Sequence, residues 1–200
     1  MSDRDEPMTQ ATCDGLTHVA DQLLHVARLV HGTAADPSLT PAQWTALRYF
    51  NCANRFSRTP SAFSQFHATT RGTASQTVKS LITLRLLERH VNKADARSAL
   101  IEVTAEGQRK LARDPLADLS TCIAALPADQ RKVFAATLAK VSDALAKMRA
   151  APTFGNCSDC GHCDTSDTSS AYCRCTHSIL SEGEMESLCI DFASTVPQLR

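Results

Sequence analysis

Aromatic side chains make up only 5% of this 200-residue chain, too few for a sheet-dominated core. Alanine and leucine dominate instead, a balance that favours helix. No apolar run approaches the about 18 residues that span a bilayer. The polar, acidic opening MSDRDEPMTQ lacks the apolar core of a secretion signal, so a cytoplasmic location is expected. There is no phosphate-cradling glycine-rich loop, no convincing nucleophile–base arrangement and no cofactor fingerprint, which counts against an enzyme. Glu182, Glu184 and Glu186 read as a solvated acidic run. No internal repeat is apparent.

Net charge is also missing, but only as a total: 21 Lys/Arg balance 21 Asp/Glu. The first 47 residues carry −4, residues 48–113 carry +8, residues 114–151 carry +1 and the last 49 carry −5. A strongly basic segment between acidic ends suits a polyanion such as DNA, as well as the blander reading of a solvated face. Apolar residues at 43% allow a substantial core. Of nine cysteines, six fall in the last 44 residues. In a reducing cytosol such a cluster points to metal or redox chemistry rather than disulfides. Cys13, Cys52 and Cys122 stand alone and read as small buried or incidental residues.

Helical spacing runs over 15–33, with apolar residues at 16, 19, 20, 23, 26, 27 and 30. His18 and His25 lie on or beside that stripe and read as surface histidines. Thr40-Pro41-Ala42-Gln43 is a capping-box start, followed by Trp44, Leu47 and Phe50 on one stripe. Thr59-Pro60 opens a short helix to about His67. A further helix runs from about Gly72 to Leu84, with Ala74, Val78, Leu81 and Ile82 inward and Arg71, Thr73, Ser75, Gln76 and Lys79 outward. Leu86–Val91 and Leu100–Val103 form a hairpin around a polar loop. Thr104 starts another helix through Leu111, with a possible extension past Pro115 to Ala125. Pro127–Ala150 is the cleanest helix.

A short helix, a tight turn, a helix with a polar outer face and a basic-tipped hairpin form a winged helix-turn-helix pattern. The fold class expected is mainly α with a small β wing. A helix fits the major groove, where Thr73, Ser75 and Gln76 suit base edges and Arg71 and Lys79 suit bases or phosphates. The loop residues Lys93 and Arg97 suit the backbone or the minor groove.

The stretches LTPAQWTALRYF, TTRGTASQTVKSL and LLERHVNKADARSALIEVTAEGQ resemble the MarR family of bacterial transcriptional regulators over about residues 16–150. The pair Asp95 and Arg97, followed by Val103-Thr104-x-x-Gly107, is the most specific part. The resemblance implies that Arg97 enters the minor groove from the wing tip, that Asp95 helps hold the wing, and that Arg71–Lys79 lie on the recognition helix. It also implies a homodimer built from the first and last helices, here the stripes at 16–30 and 127–150. Arg85 departs from the pattern, since the family usually has glycine there; it alters the helix end or adds a phosphate contact.

Composition changes near residue 152, which divides the chain into a winged-helix and dimerisation part, 1–151, and a cysteine-rich tail, 152–200. The tail reads Cys157-x2-Cys160-x2-Cys163-x9-Cys173-x1-Cys175-x13-Cys189. Three cysteines in x2 series resemble the three-ligand half of a four-iron, four-sulfide site, with a fourth ligand among Cys173, Cys175 and Cys189. Zinc is the rival: Cys pairs give a tetrahedral site, and His162 or His177 could replace one thiolate. Disulfides and a disordered tail with free thiols remain further options. Residues 152–180 have too few apolar groups to fold alone, so a bound metal would organise them. The leading expectation is a DNA-binding regulator whose affinity follows an iron–sulfur cluster sensing redox state, iron, oxygen or NO. The alternatives are a regulator with a structural zinc tail and a small-molecule or thiol-oxidation signal, and, more remotely, an iron–sulfur oxidoreductase.

Overall fold

Threonine starts four helices. The side chains of Thr40, Thr59, Thr70 and Thr104 each accept a hydrogen bond from the backbone N–H three residues on. Caps of this kind are worth about 1 kcal/mol each. At Thr40 the Gln43 side chain closes the capping box expected from the sequence. The computed structural model describes residues 15–32, 37–91, 99–166 and 170–195. The chain divides into two units, Met1–Ala35 and Asp36–Arg200.

The first unit contributes helix α1, Gly15–Val30, with Leu16, Val19, Leu23, Leu24, Val26 and Leu29 exposed. His18 and His25 are exposed as well. The second unit runs α2 (Pro41–Cys52), α3 (Pro60–Phe66), α4 (Arg71–Thr83), β1 (Leu87–Val91), β2 (Ala99–Val103), α5 (Ala105–Leu111), α6 (Leu116–Ala124) and α7 (Ala128–Met148). Its core gathers Trp44, Leu47, Tyr49 and Phe50 from α2, Phe63 from α3, Val78 and Leu81 from α4, and Leu87 and Ile101 from the hairpin. Tyr49, Phe50 and Phe63 pack as an aromatic cluster with ring centroids 5.1–5.7 Å apart. Trp44 is core, as its spacing implied.

Two turns position the α3–α4 unit. α3 closes with Ala68 at φ 48° and Thr69 N–H donating to Ser64 O. α4 closes the same way, with Arg85 at φ 59°, Arg85 N–H donating to Ile82 O and Leu86 N–H to Leu81 O. This is a Schellman closure, and the left-handed position is the one glycine favours. Arg85 therefore takes the conformation that glycine would take without cost, and its side chain stays in solvent.

β1 and β2 pair antiparallel from Leu87↔Val103 to Val91↔Ala99. The loop they enclose, with Lys93, Asp95 and Arg97, lies outside the described residues. The possible extension from Thr104 to Ala125 is not one helix. α5 stops at Leu111, and Pro115, with no N–H to donate, precedes the separate α6. Asp114 fixes the break: its carboxylate accepts from Leu116 N–H at 2.8 Å and pairs with Arg48 at 2.8 Å. Of the lone cysteines, Cys52 and Cys122 are exposed, which removes the buried reading and leaves the incidental one; Cys13 lies outside the described residues. Val133, Phe134, Leu138, Val141, Leu145 and Met148 leave an apolar face of α7 exposed. Among the described residues no helix is long and apolar enough to cross a membrane.

After α7 the chain makes short strands: β3 (Gly155–Asn156), β4 (Cys163–Asp164), β5 (Ala171–Cys173), β6 (Ser178–Leu180) and β7 (Leu188–Cys189). β3 pairs with β7, and β4-β5-β6 form a three-stranded antiparallel sheet. This segment lies against the winged-helix core. Phe154, Leu188 and Ile190 pack on that core, and the Phe154 and Phe66 rings meet edge-on at 5.0 Å.

Gly107 shows why the Val103-Thr104-x-x-Gly107 motif ends as it does. A β-carbon there would strike the Leu86 carbonyl oxygen and come within 2.6 Å of Val103 Cγ1. Replacing Gly107 with alanine should cost at least about 2 kcal/mol, seen as a lower urea midpoint, because α5 must move off the wing. An unchanged midpoint would contradict this packing.

Candidate functional site

Two groups of functional side chains sit on the second unit. The first is the outer face of α4. Arg71, Thr73, Gln76 and Lys79 are exposed there, while Ser75 is half-buried. Thr70 fixes the start of the helix, its hydroxyl 2.9 Å from that of Thr73. Ser75 and Lys79 line a groove of about 360 Å³ whose other walls include Thr59, Ser61, Arg89 and Ile101. Arg89 adds a cation from β1 that sequence reasoning did not single out. On the wing, His90 Nε2 lies 3.4 Å from Glu88 and 3.6 Å from Glu102. Glu102 also lies 3.7 Å from Arg58. The residues expected at the wing tip are not among those described.

The second group is the thiols. Cys157, Cys160, Cys173 and Cys189 are buried, at 4%, 9%, 9% and 5% exposure. Cys163 is half-buried and Cys175 is exposed. The turn Cys157–Asp159 lets Cys160 N–H donate to Cys157 O at 3.2 Å, folding the first CxxC back on itself. Strand pairing sets Cys163 opposite Cys173 and Gly155 opposite Cys189. Leu180, Phe56, Met185 and Phe192 pack around the buried sulfurs. The CxxCxxC series thus supplies two buried thiols, with Cys173 and Cys189 arriving from β5 and β7. His162 and His177 are not buried.

N–H donors point at these sulfurs. Ala193 N–H donates to Cys160 Sγ at 3.4 Å, and Asn54 Nδ2 donates to Cys157 Sγ at 3.9 Å. Burial pushes the Cys157 thiol up to about 11, against the Asn54 hydrogen bond, with Cys189, Cys160 and Cys173 nearby adding to the rise. Burial also raises Cys189, opposed by Asn54, the Asp191 backbone and Ser57. At Cys173 burial pulls upward, but hydrogen bonds from Thr176 and the Cys175 backbone outweigh it and hold the thiol below its usual range. Burial raises Tyr49 as well, and Cys189 adds to that rise.

The spacing of the sulfurs bears on what they can hold. Among the described residues no three Cys sulfurs lie within 4.8 Å of one another. Four thiolates around one zinc at about 2.3 Å sit only about 3.8 Å apart. Four buried thiols suit a tetrahedral zinc or an iron–sulfur cluster, and N–H donors to the sulfurs are what such a cluster uses to tune its potential.

Asn54 and Ser57, from the α2–α3 linker, are the residues that sequence reasoning missed. They are almost fully buried, at 1% and 0% exposure. Asn54 Oδ1 accepts from Phe56 N–H and Ser57 N–H, an Asx-type turn. The only signal in the sequence is an Asn-x-x-Ser in a loop, which is common.

Solved structures resemble the fold of this chain. The PcaV transcriptional regulator of Streptomyces coelicolor, in complex with its natural ligand, matches with a TM-score of 0.54 and 23% identity, over 69% of this chain and 99% of that one. MepR of S. aureus, in a complex with DNA, matches at 0.53 and 19%, over 66% and 99%. BpsR of Bordetella bronchiseptica, whose DNA binding is regulated by 6-hydroxynicotinic acid, matches at 0.50 and 17%, over 64% and 99%. The fold is a winged helix-turn-helix. These neighbours are winged-helix regulators of the MarR type, and this chain carries residues beyond what they cover. No protein-family model matches the chain, and no curated protein matches it.

Burial orders the thiols by reactivity in the metal-free protein. Iodoacetamide followed by mass spectrometry should modify Cys52, Cys122 and Cys175 first and Cys157 and Cys189 last, because the thiolate is the nucleophile and must be reached. Early labelling of Cys157 would contradict the packed arrangement.

Proposed function

We propose that this protein is a homodimeric, sequence-specific DNA-binding transcriptional regulator of the MarR type. Its DNA affinity follows an iron–sulfur cluster held by Cys157, Cys160, Cys173 and Cys189. The observation that carries this reading is four buried thiols, two of them receiving N–H donors, packed directly on a winged helix-turn-helix. When bound, the cluster supplies a centre sensitive to redox state, iron, oxygen or NO. The chain's own residues hold four thiolates, aim N–H donors at two of them and keep water out with Phe56, Met185 and Phe192.

DNA recognition follows from α4. Its capped start would enter the major groove, where Gln76 suits base edges and Arg71 and Lys79 suit bases or phosphates. Lys93, Asp95 and Arg97 keep the wing roles that the family resemblance implies. The exposed apolar faces of α1 and α7 support dimerisation, since an exposed stripe of this length on a helix calls for a partner. No catalytic role is proposed.

Anaerobic purification, visible absorption and iron and sulfide analysis test the centre. Serine at 157, 160, 173 or 189 should abolish bound iron, whereas serine at 163 or 175 should leave it in place. Colourless protein with stoichiometric zinc would overturn the cluster.

Operator selection followed by anisotropy titration tests the DNA role. Gln76→Ala should cost about 1–3 kcal/mol on the cognate site and relax specificity there. Lys79→Ala should weaken binding to all sequences and lower the salt slope by about one. Salt-independent binding would sink this reading.

A further inference from the structure

We propose that Asn54 and Ser57 are positioning residues through which the thiol centre sets the geometry of the helix-turn-helix. This inference rests on the cluster-bearing regulator described above and specifies its route. The linker 53–58 is tied to the tail on one side. Asn54 Nδ2 donates to Cys157 Sγ, and Asn54 N–H donates to Leu188 O at 2.9 Å, one residue from Cys189. Ile190 N–H donates to Ser57 Oγ at 3.0 Å, one residue beyond Cys189.

The same linker is tied to the DNA-binding parts on the other side. Ile101 N–H, on wing strand β2, donates to Arg58 O at 2.8 Å. Arg58 Nε donates to Ala53 O at 2.9 Å. Thr59, the next residue, caps α3, and α3 packs on α4. Tyr49 Oη donates to Ser57 O at 2.7 Å, fixing the linker to α2. A single six-residue segment therefore touches the Cys157 turn, the cysteine-bearing strand β7, the wing and the start of α3.

The chemistry of Asn54 makes the link two-sided. Its oxygen holds the turn that sets Phe56 and Ser57, while its nitrogen donates to a sulfur. A cluster-bound thiolate keeps that nitrogen and so fixes the side-chain rotamer. Loss of the cluster would remove the fixed acceptor and also free Cys189, whose neighbours Leu188 and Ile190 hold the Asn54 backbone and the Ser57 hydroxyl. The turn then has a second arrangement available, and α3 and the wing feel the change through Thr59 and Arg58.

The test compares loaded and chelator-stripped full-length protein. Asn54→Asp keeps the oxygen that holds the turn and deletes the donor to sulfur. Ser57→Ala deletes the acceptor for Ile190. Arg109→Ala, which removes an exposed ion pair with Glu106 within α5, is the control. Wild type should show a loaded-to-empty DNA affinity ratio of about 5–150-fold, in either direction. In Asn54→Asp and Ser57→Ala that ratio should fall below about threefold, and iron loss to a chelator should quicken by about tenfold or more. The reduction potential should also drop in Asn54→Asp, because a hydrogen bond to sulfur stabilises the reduced cluster. Arg109→Ala should keep the wild-type ratio. Wild-type coupling together with a wild-type potential in Asn54→Asp overturns the route while leaving the regulator reading intact. A wild type with equal affinity in both states overturns the regulator reading itself. Should Asn54→Asp not fold, an unchanged ratio in Ser57→Ala alone overturns the route.

Discussion

Only three polar side chains are buried among the described residues, Asn54, Ser57 and Ser64, and two of them lie between the helix-turn-helix and the thiols. A buried amide without partners costs several kcal/mol, so its position is dictated by its hydrogen bonds. Asn54 satisfies its oxygen with two backbone N–H groups and offers its nitrogen to a sulfur. The turn after α2, the entry to α3 and the seat of the tail all follow from that one side chain. The hydrophobic core would tolerate modest repacking by comparison, because apolar contacts are not directional.

The tail has a different balance. Its few apolar groups, Leu180, Met185 and Phe192, pack on the thiols rather than on a core of their own. Its attachment to the winged helix comes from Phe154, Leu188 and Ile190, from the Ser57 hydroxyl, and from Ser194, which donates to Asp143 on α7 at 2.5 Å. A small module fixed this way would gain most from the proposed metal centre, since metal–thiolate bonds would supply folding free energy that apolar burial cannot.

The fold was largely legible from local rules. Threonine caps, helical spacing and two alternating runs placed α2, α3, α4 and the wing within a residue or two. The break between α5 and α6 was read less well, although Pro115 signalled it, because the carboxylate that settles it pairs with Arg48, 66 residues away in sequence. The site divides in the same way. The six cysteines announced themselves by spacing, and the outward residues of α4 by period. Which four thiols are buried was not readable, because CxxCxxC spacing allows Cys163 as easily as Cys173, and strand pairing decides. Asn54 and Ser57 were silent for a stronger reason. A buried polar residue looks like any loop residue until its partners, more than a hundred positions away, are in place.

The uneven charge suggests a different way for the tail to act, by masking the basic face with its own acids. The geometry argues against that route. Glu184 is held by Arg55 and by the Ser181 backbone and hydroxyl, and Glu186 lies near Asn156 at 3.4 Å. Arg55 is itself fixed, donating to Ile179 O at 2.8 Å and lying 4.7 Å over the Phe56 ring. These acids are thus engaged at the linker or within the tail, not at Arg71, Gln76 or Lys79. Exposed charges at longer range are screened within about 8–10 Å at ordinary salt, whereas a shift in a hydrogen-bonded turn is not. In the proposed regulator, a signal that began at a buried sulfur would therefore have its most direct path to α4 through the backbone of residues 53–58.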